Sequence, residues 1–224
     1  MLLLSVESSA VTASAALTDG GTVIKSEFIN NGLTHSETLL PLIESVMSGY
    51  DYSSLDAVAV TAGPGSFTGV RIGVATVKGI AFPYDLPCIS VSTLEAIAYN
   101  FTDENAVICA VMDARRMQFY NALFRAENGR ITRLCADRAV SAEELQKELS
   151  AFESVIIAGD GAKLFYSSFA APNCALAEEN RLYQNAVGVS AAAQNKEKLP
   201  AAELAPFYLR PSQAERELKL KRKK

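Results

Sequence analysis

One order of strands and helices occurs twice along this chain, and that duplication limits the fold more than any other feature. Leu2 to Val6 is an apolar strand ending at an acid, Glu7. A turn of small residues leads to a second strand around Ala13 to Leu17, the hairpin signal Asp19-Gly20-Gly21, and a third strand over Thr22 to Ile29. A helix from about Ser36 to Ser48, a strand over Ala57 to Thr61, a glycine turn and a long helix follow. In the second half, Ala106 to Met112 is an apolar strand ending at Asp113. Gln118 to Phe124, the turn Glu127-Asn128-Gly129 and a strand beginning over Ile131 to Leu134 repeat the three-strand unit. Ser141 suits an N-cap, with Glu143 and Glu144 in the first turn of a helix to about Leu149. Val155 to Ala158 and the turn Gly159-Asp160-Gly161 precede another helical stretch. The chain therefore divides into halves 1–100 and 101–224, each strand-strand-strand-helix-strand-helix. Leu182 to Lys198 also reads as helix, with Tyr183, Val187 and Ala191 as its stripe.

Two such α/β halves with mixed sheets around a cleft resemble the duplicated actin/Hsp70/sugar-kinase (ASKHA) architecture. That likeness implies a nucleotide between the halves, held by two acidic hairpins and a glycine turn. The candidate residues are Glu7, Asp113, Gly63 and Gly65. The turn matches no phosphate-binding fingerprint. Gly63 to Gly69 is one residue too long for a Walker loop, and Val70 stands where its lysine belongs. The dinucleotide pattern would need its third glycine at Thr68. Two readings stay open: anion binding by free N–H groups at a helix N-terminus, or glycines that permit a tight turn and close packing.

Composition narrows the class. With 49% hydrophobic and 21% charged residues, this is an ordinary globular chain. No apolar run is long enough to span a bilayer, and MLLLSVES has no basic n-region, so a cytoplasmic protein without membrane contact is expected. Cys88, Cys109, Cys135 and Cys174 form no C-x-x-C pair and read as buried free thiols. Charge is uneven: from Arg210 onward seven Lys and Arg face two Glu, leaving −9 on the rest. An acidic body argues against a broad nucleic-acid footprint, and the tail reads as a solvated terminus or a phosphate contact.

Six motifs occur in a telling order: Glu7-Ser8-Ser9, His35-Ser36-Glu37, GPGSFTGVRIG from Gly63, Ile89-Ser90-Val91-Ser92-Thr93, Met112-Asp113-Ala114-Arg115, and Pro206-Phe207-Tyr208-Leu209-Arg210. Together they resemble the TsaB (YeaZ) family of the tRNA threonylcarbamoyladenosine pathway, over nearly the whole chain. The resemblance implies a non-catalytic scaffold without cofactor or metal. It implies pairing with the catalytic paralogue TsaD, which transfers the threonylcarbamoyl group to an adenosine beside the anticodon. The ATPase TsaE joins that complex, and tRNA is met through it. The catalytic paralogue carries two histidines four apart that bind its metal; Thr93 and Ile97 stand at those places here. Neither replaces imidazole on a transition metal. His35 is the single histidine, its i+4 neighbour is Leu39, and it reads as a helix-entry or interface residue. A peptidase or Ser-His-Asp hydrolase therefore lacks its residues, and no catalytic residue is assigned. The alternative is an ATP-binding, kinase-like enzyme using a Glu7/Asp113 cleft, although the family usually has aspartate at the place of Glu7.

The two helices of the first half carry more apolar surface than one sheet can cover. In the first, Leu39, Leu42, Ile43 and Val46 form a sheet-facing stripe, Leu40 and Met47 form a second line, and Pro41 is expected to distort the first turns. In the second, Val70, Val74, Val77 and Ala81 form one stripe, and Gly69, Gly73 and Thr76 form a small-residue strip that would admit a neighbouring helix. The expected partner interface comprises Leu40, Met47, Gly69, Val70, Arg71, Gly73, Val74, Thr76 and Val77, serving the paralogue or, when unpartnered, a two-fold homodimer. Charges at Gly73 and Val74 are expected to abolish pairing and leave the monomer folded.

Overall fold

The computed structural model describes residues 1–32 and 34–210, so the tail reading lies outside the described residues. The first half forms β1 (Leu2–Glu7), β2 (Ala13–Asp19), β3 (Thr22–Ile29), α1 (His35–Met47), β4 (Ala57–Gly63), α2 (Phe67–Ala81), β5 (Cys88–Ser92) and α3 (Thr93–Ala98). The second forms β6 (Ala106–Asp113), β7 (Gln118–Glu127), β8 (Arg130–Arg133), β9 (Arg138–Ser141), α4 (Ala142–Leu149), β10 (Val155–Ala158), α5 (Ala162–Phe169), β11 (Cys174–Leu176), α6 (Glu179–Leu182) and α7 (Ala186–Ala193).

The duplication is visible in the sheets. The first runs β3-β2-β1-β4-β5 and the second β11-β10-β6-β7-β8, with β9 also on β7. In each, the hairpin strands are antiparallel and the strand after the helix is parallel to the first. The sheets are therefore mixed, as expected. Each gains a fifth, parallel strand that the sequence pattern did not separate, β5 and β11. The third strand of the second half is split into β8 and β9. Ser141 caps α4 through a full capping box with Glu144.

Side-chain alternation sets the layers. Leu4 and Val6 of β1 and Val58 and Val60 of β4 pack with α1 and α2. Leu3, Ala57 and Ala59 face the other way, onto Val189, Ala192 and Ala193 of α7. Both faces of this sheet are covered, which explains its uninterrupted apolar strands. The connections cross over: α3 leaves the first sheet yet sends Leu94, Ile97 and Ala98 into the core of the second. Helix α7, from the second half, returns to the first sheet, and α3 and α7 touch.

Helix α7 departs from expectation. It begins at Ala186, where the Asn185 side chain accepts from the Gly188 N–H, and stops at Ala193. Tyr183 lies outside it, Val187 is exposed and Ala191 is half-buried; the buried residues are Ala186, Gly188, Val189, Ser190, Ala192 and Ala193. Small residues there let α7 lie close to its neighbours, and of the expected stripe only Val187 faces solvent. A Cβ on Gly188 would sit 2.3 Å from the Ala96 carbonyl oxygen.

After α7 the chain crosses the first sheet's edge and pairs Leu199 with Cys88. It then runs along α2 as a strap. Ala201 and Leu204 join the α1–α2 core, and the Lys78 ammonium donates to the carbonyls of Ala202 and Leu204 at 3.1 and 3.0 Å. Among the described residues, no helix is long and apolar enough to cross a membrane. Cys88, Cys109 and Cys174 are buried free thiols, and Cys135 is half-buried.

Candidate functional site

The motif residues converge on the turn after β1. Glu7 is completely buried, and its Oε1 accepts from the Ser9 N–H and hydroxyl, both at 2.7 Å, while Oε2 accepts from the Thr61 hydroxyl. Burial pushes the Glu7 carboxyl above its ordinary range, against the hydrogen bonds from Thr61 and Ser9. The Ser8 hydroxyl donates to the Gly69 carbonyl at 3.0 Å, and the Ser66 N–H donates to the Ser9 carbonyl at 2.6 Å. His35, first residue of α1, places Nε2 2.6 Å from the Ala10 carbonyl oxygen. This turn thus pins β1, α1 and α2 together.

The glycines serve the same packing. A Cβ at Gly65 would lie 2.3 Å from the Ser9 carbonyl oxygen, at Gly69 2.2 Å from that of Ser8, and at Gly73 2.4 Å from the Ser8 hydroxyl. Gly63 has φ +120°, and a Cβ there would meet the Phe207 carbonyl oxygen at 2.3 Å. The clearance is used by this chain's own turn and strap rather than by a neighbouring molecule. Two N–H groups at the helix entry are also taken, Ser66 by Ser9 and Gly69 by the Ser66 hydroxyl.

Asp113 occupies the equivalent place in the second half and likewise serves its own turn. Its Oδ1 accepts from the Arg115 N–H at 2.7 Å, and Oδ2 lies 3.3 Å from the Arg115 guanidinium. Asp113 lines a cleft of about 550 Å³ between the halves, along with Gly65, Thr68, Tyr120, Tyr208 and Asp160. Asp160 was not singled out from the sequence. Its signal was the turn Gly159-Asp160-Gly161, the counterpart of Gly63-Pro64-Gly65. Its Oδ1 is buried without a hydrogen-bond partner. Burial above all pushes its carboxyl up to about 7, the Asp113 N–H opposes this, and the Asp113 and Glu7 carboxylates add to it. The structure therefore brings Glu7, Asp113 and Asp160 into one neighbourhood. Only Asp113 and Asp160 line the cleft, while Glu7 is enclosed with both oxygens bonded.

Thr93 and Ile97 are both fully buried in α3, and Ile97 packs in the core of the second sheet. Among the described residues, no three His, Cys, Asp or Glu side chains gather where they could hold a metal ion.

The expected interface residues part company on burial. Met47, Gly69, Val70, Gly73, Val74 and Val77 are all buried within the chain, so their surface is spent on β1, β4 and the Ser8 turn. Leu40 is 51% exposed, Arg71 is exposed and Thr76 half-buried. Leu40 and Met47 are thus not one outward line: α1 runs unbroken through Pro41, and Val46 and Met47 at its end are covered. Charges at Gly73 and Val74 would disrupt the monomer itself, because both positions lack room for them. The open face of α2 is instead Thr68, Arg71, Ala75 and Gly79, with Ile72 and Thr76 beside it. Leu40 of α1 and Phe82, 76% exposed just past α2, are further exposed apolar side chains of this region of the chain. The Arg71 guanidinium stacks 3.8 Å from the centre of the Phe67 ring and donates to the Tyr208 hydroxyl at 2.8 Å, tying the strap to this face.

Comparison with known proteins agrees with this geometry. Residues 32–216 match the family model described as "TsaD: tRNA N6-adenosine threonylcarbamoyltransferase". The tRNA threonylcarbamoyladenosine biosynthesis protein TsaB of Bacillus subtilis is 34% identical over 142 residues, 62% of each chain. The chain thus spans less than two-thirds of the length of that curated relative. The solved structure of YeaZ from Pseudomonas aeruginosa superposes with a TM-score of 0.79 at 26% identity, over 93% of this chain and 99% of the other. The ethanolamine utilization protein EutJ of Carboxydothermus hydrogenoformans, at TM-score 0.51 and 10% identity over 84% and 89% of the two chains, shares the fold alone. With the duplicated ASKHA architecture, the Glu7 turn and the glycine helix all in place, this chain belongs to the TsaB/YeaZ family.

Proposed function

We propose that this chain is a non-catalytic subunit of the machinery that adds a threonylcarbamoyl group to the adenosine beside the tRNA anticodon. It acts in the cytoplasm by stabilising and activating a TsaD-like catalytic paralogue. A TsaE-like ATPase joins the complex, and tRNA is met through the complex. The observation that carries this reading is the open face of α2. Thr68, Ala75 and Gly79 are small and exposed, and a Cβ on Gly79 would meet nothing within 4 Å. Small residues allow a second helix to approach closely, and Leu40, Ile72 and Phe82 supply apolar area around them. Ancestry supports the choice of occupant: the family model that matches this chain is described as the transferase's, and a paralogue of shared descent would present a homologous helix pair. Two such pairs can meet about a pseudo-two-fold axis, and a second copy of this chain can use the same face when the paralogue is absent. The buried Thr93 and Ile97, where the resemblance puts metal ligands in the catalytic paralogue, support the non-catalytic part.

The test replaces the outward residues. Ala75→Glu with Leu40→Glu should leave the melting temperature of the isolated chain unchanged and abolish co-purification with the paralogue. Undiminished co-purification would sink this interface.

A further inference from the structure

The first sheet ends on an open strand. Its order is β3-β2-β1-β4-β5, and among the described residues β3 pairs with β2 alone. Such an edge offers a row of N–H and C=O groups to a further strand. Apolar side chains stand out along it: Val23, Ile24 and Phe28 are 41%, 42% and 47% exposed. Its side chains alternate between the two faces. Lys25 and Glu27 lie on the α1 side, where the Lys25 ammonium donates to the Ser45 carbonyl and the Glu27 carboxylate accepts from the Ser45 hydroxyl at 3.0 Å. Ser26 and Phe28 lie on the α7 side and line a cavity of about 500 Å³ with Tyr99, Tyr183 and Val187. Ile24 has no partner on β2, because the register shifts between Leu17, opposite Lys25, and Thr18, opposite Val23. That bulge bends the strand and leaves 25–29 as the regular part of the edge.

We propose that β3 pairs antiparallel with β3 of a second copy of this chain, about a two-fold axis at Ser26, so that the two first sheets become continuous. The edge is self-complementary in that register. Ser26 stands opposite Ser26 of the second copy, Lys25 opposite its Glu27, and Glu27 opposite its Lys25. Ile24 stands opposite its Phe28, so the exposed apolar side chains meet as well. Opposite charges and apolar pairs directly across two strands stabilise the pairing, and like charges oppose it. A two-fold axis normal to the sheet keeps each face on its own side, so only residues of one face can be opposite. Moving the axis one residue, to Lys25 or to Glu27, sets lysine against lysine or glutamate against glutamate. Charge therefore selects the register at Ser26. This self-contact uses none of the residues assigned above to the paralogue and differs from a self-contact through α1 and α2.

The experiment is sedimentation equilibrium of the full chain at low salt, with thermal melting of every variant alongside. The wild-type chain should sediment as a monomer–dimer equilibrium. Lys25→Glu and Glu27→Lys, made singly, each set like charges opposite one another at two symmetric places. Each should raise the dimer dissociation constant about tenfold or more. Made together they restore both pairs in the reverse sense, and the constant should return to within about threefold of wild type. Ser26→Cys gives an independent reading, because directly opposite side chains are close enough to bridge. That variant should form a cross-linked dimer under mild oxidation, while Thr22→Cys and the wild-type chain, with its native cysteines, should not. Should a charge reversal lower the melting temperature, the Ser26→Cys cross-link decides alone, since it leaves both charges in place. A monomeric wild-type chain, a dimer that neither reversal weakens, or a double variant no better than the single ones would overturn the proposal. So would a dimer lost in Ala75→Glu with Leu40→Glu but kept in both reversals, which would place self-association on α1 and α2. Co-purification with the paralogue should be unchanged in the Lys25→Glu variant, so each idea can fail without the other.

Discussion

Ser8, Ser9 and Ala10 form the joint on which the first half is assembled, and Gly65, Gly69 and Gly73 let that joint close. Their spacing alone could not separate a phosphate loop from a packing contact, because both need backbone to approach closely. The distances separate them, since each Cβ at Gly65, Gly69 or Gly73 would strike this chain's own turn. Opposite signs are therefore expected for one substitution at two glycines of one helix. Gly73→Ala should destabilise by about 1–3 kcal/mol through overpacking against Ser8. Gly79→Ala, in open space, should stabilise by about 0.5–1 kcal/mol through helix propensity. Urea unfolding reads both, and equal signs would contradict the packing assignment. Asp160 gives a pH test. Its carboxyl stands near 7 in the folded chain against an ordinary value of 3.8. The stability it contributes is complete below the ordinary value and is lost as pH rises through about 7. From pH 5 to pH 8 the wild-type chain should lose roughly 2 kcal/mol from this group, and Asp160→Asn should remove that part of the pH dependence. An unchanged pH profile in the variant would show that Asp160 is ionised throughout.

At the scale of elements, the strand-helix order and the sheet-facing stripe of α1 were legible from apolar period alone. The outer face of α2 was not. Its helix carries small residues on nearly every side, so hydrophobicity could not say whether Gly69 and Gly73 or Ala75 and Gly79 faced outward. Only the position of the Ser8 turn, contributed from 61 residues before Gly69 in the chain, decides it. The expected helix over 182–198 failed for a similar reason. Asn185 provides a start signal inside it, and small residues make the true buried side of α7 look weak. The strap has no periodic signature, because it is held by backbone carbonyls: Lys78 binds two of them, and the Phe207 N–H donates to the Ala62 carbonyl at 2.6 Å. Lys78→Met should remove about 1 kcal/mol and speed proteolysis within residues 201–210 before global unfolding. Unchanged protection of the strap would mean that Leu204 and Phe207 hold it without the ammonium.

For the whole molecule, the duplication fixes two sheets, and the crossing of α3 and α7 joins them. Helix α3 comes from the first half and packs on the second sheet, while α7 does the reverse. A boundary at residue 100 therefore separates the sheets in sequence but not the cores they share. The acids that such a fold aims at a nucleotide are engaged otherwise here. Glu7 is sealed by Ser9 and Thr61, and Asp113 is tied to Arg115. The proposed function puts the working surface on the outer side of α1 and α2. The most direct measurement is the rate of threonylcarbamoyladenosine formation on tRNA by the purified catalytic paralogue, alone, with this chain, and with its Ala75→Glu, Leu40→Glu variant. This chain by itself should form no product, the wild-type chain should accelerate the paralogue, and the variant should not. Product formation by this chain alone, or equal acceleration by the variant, would contradict the assignment.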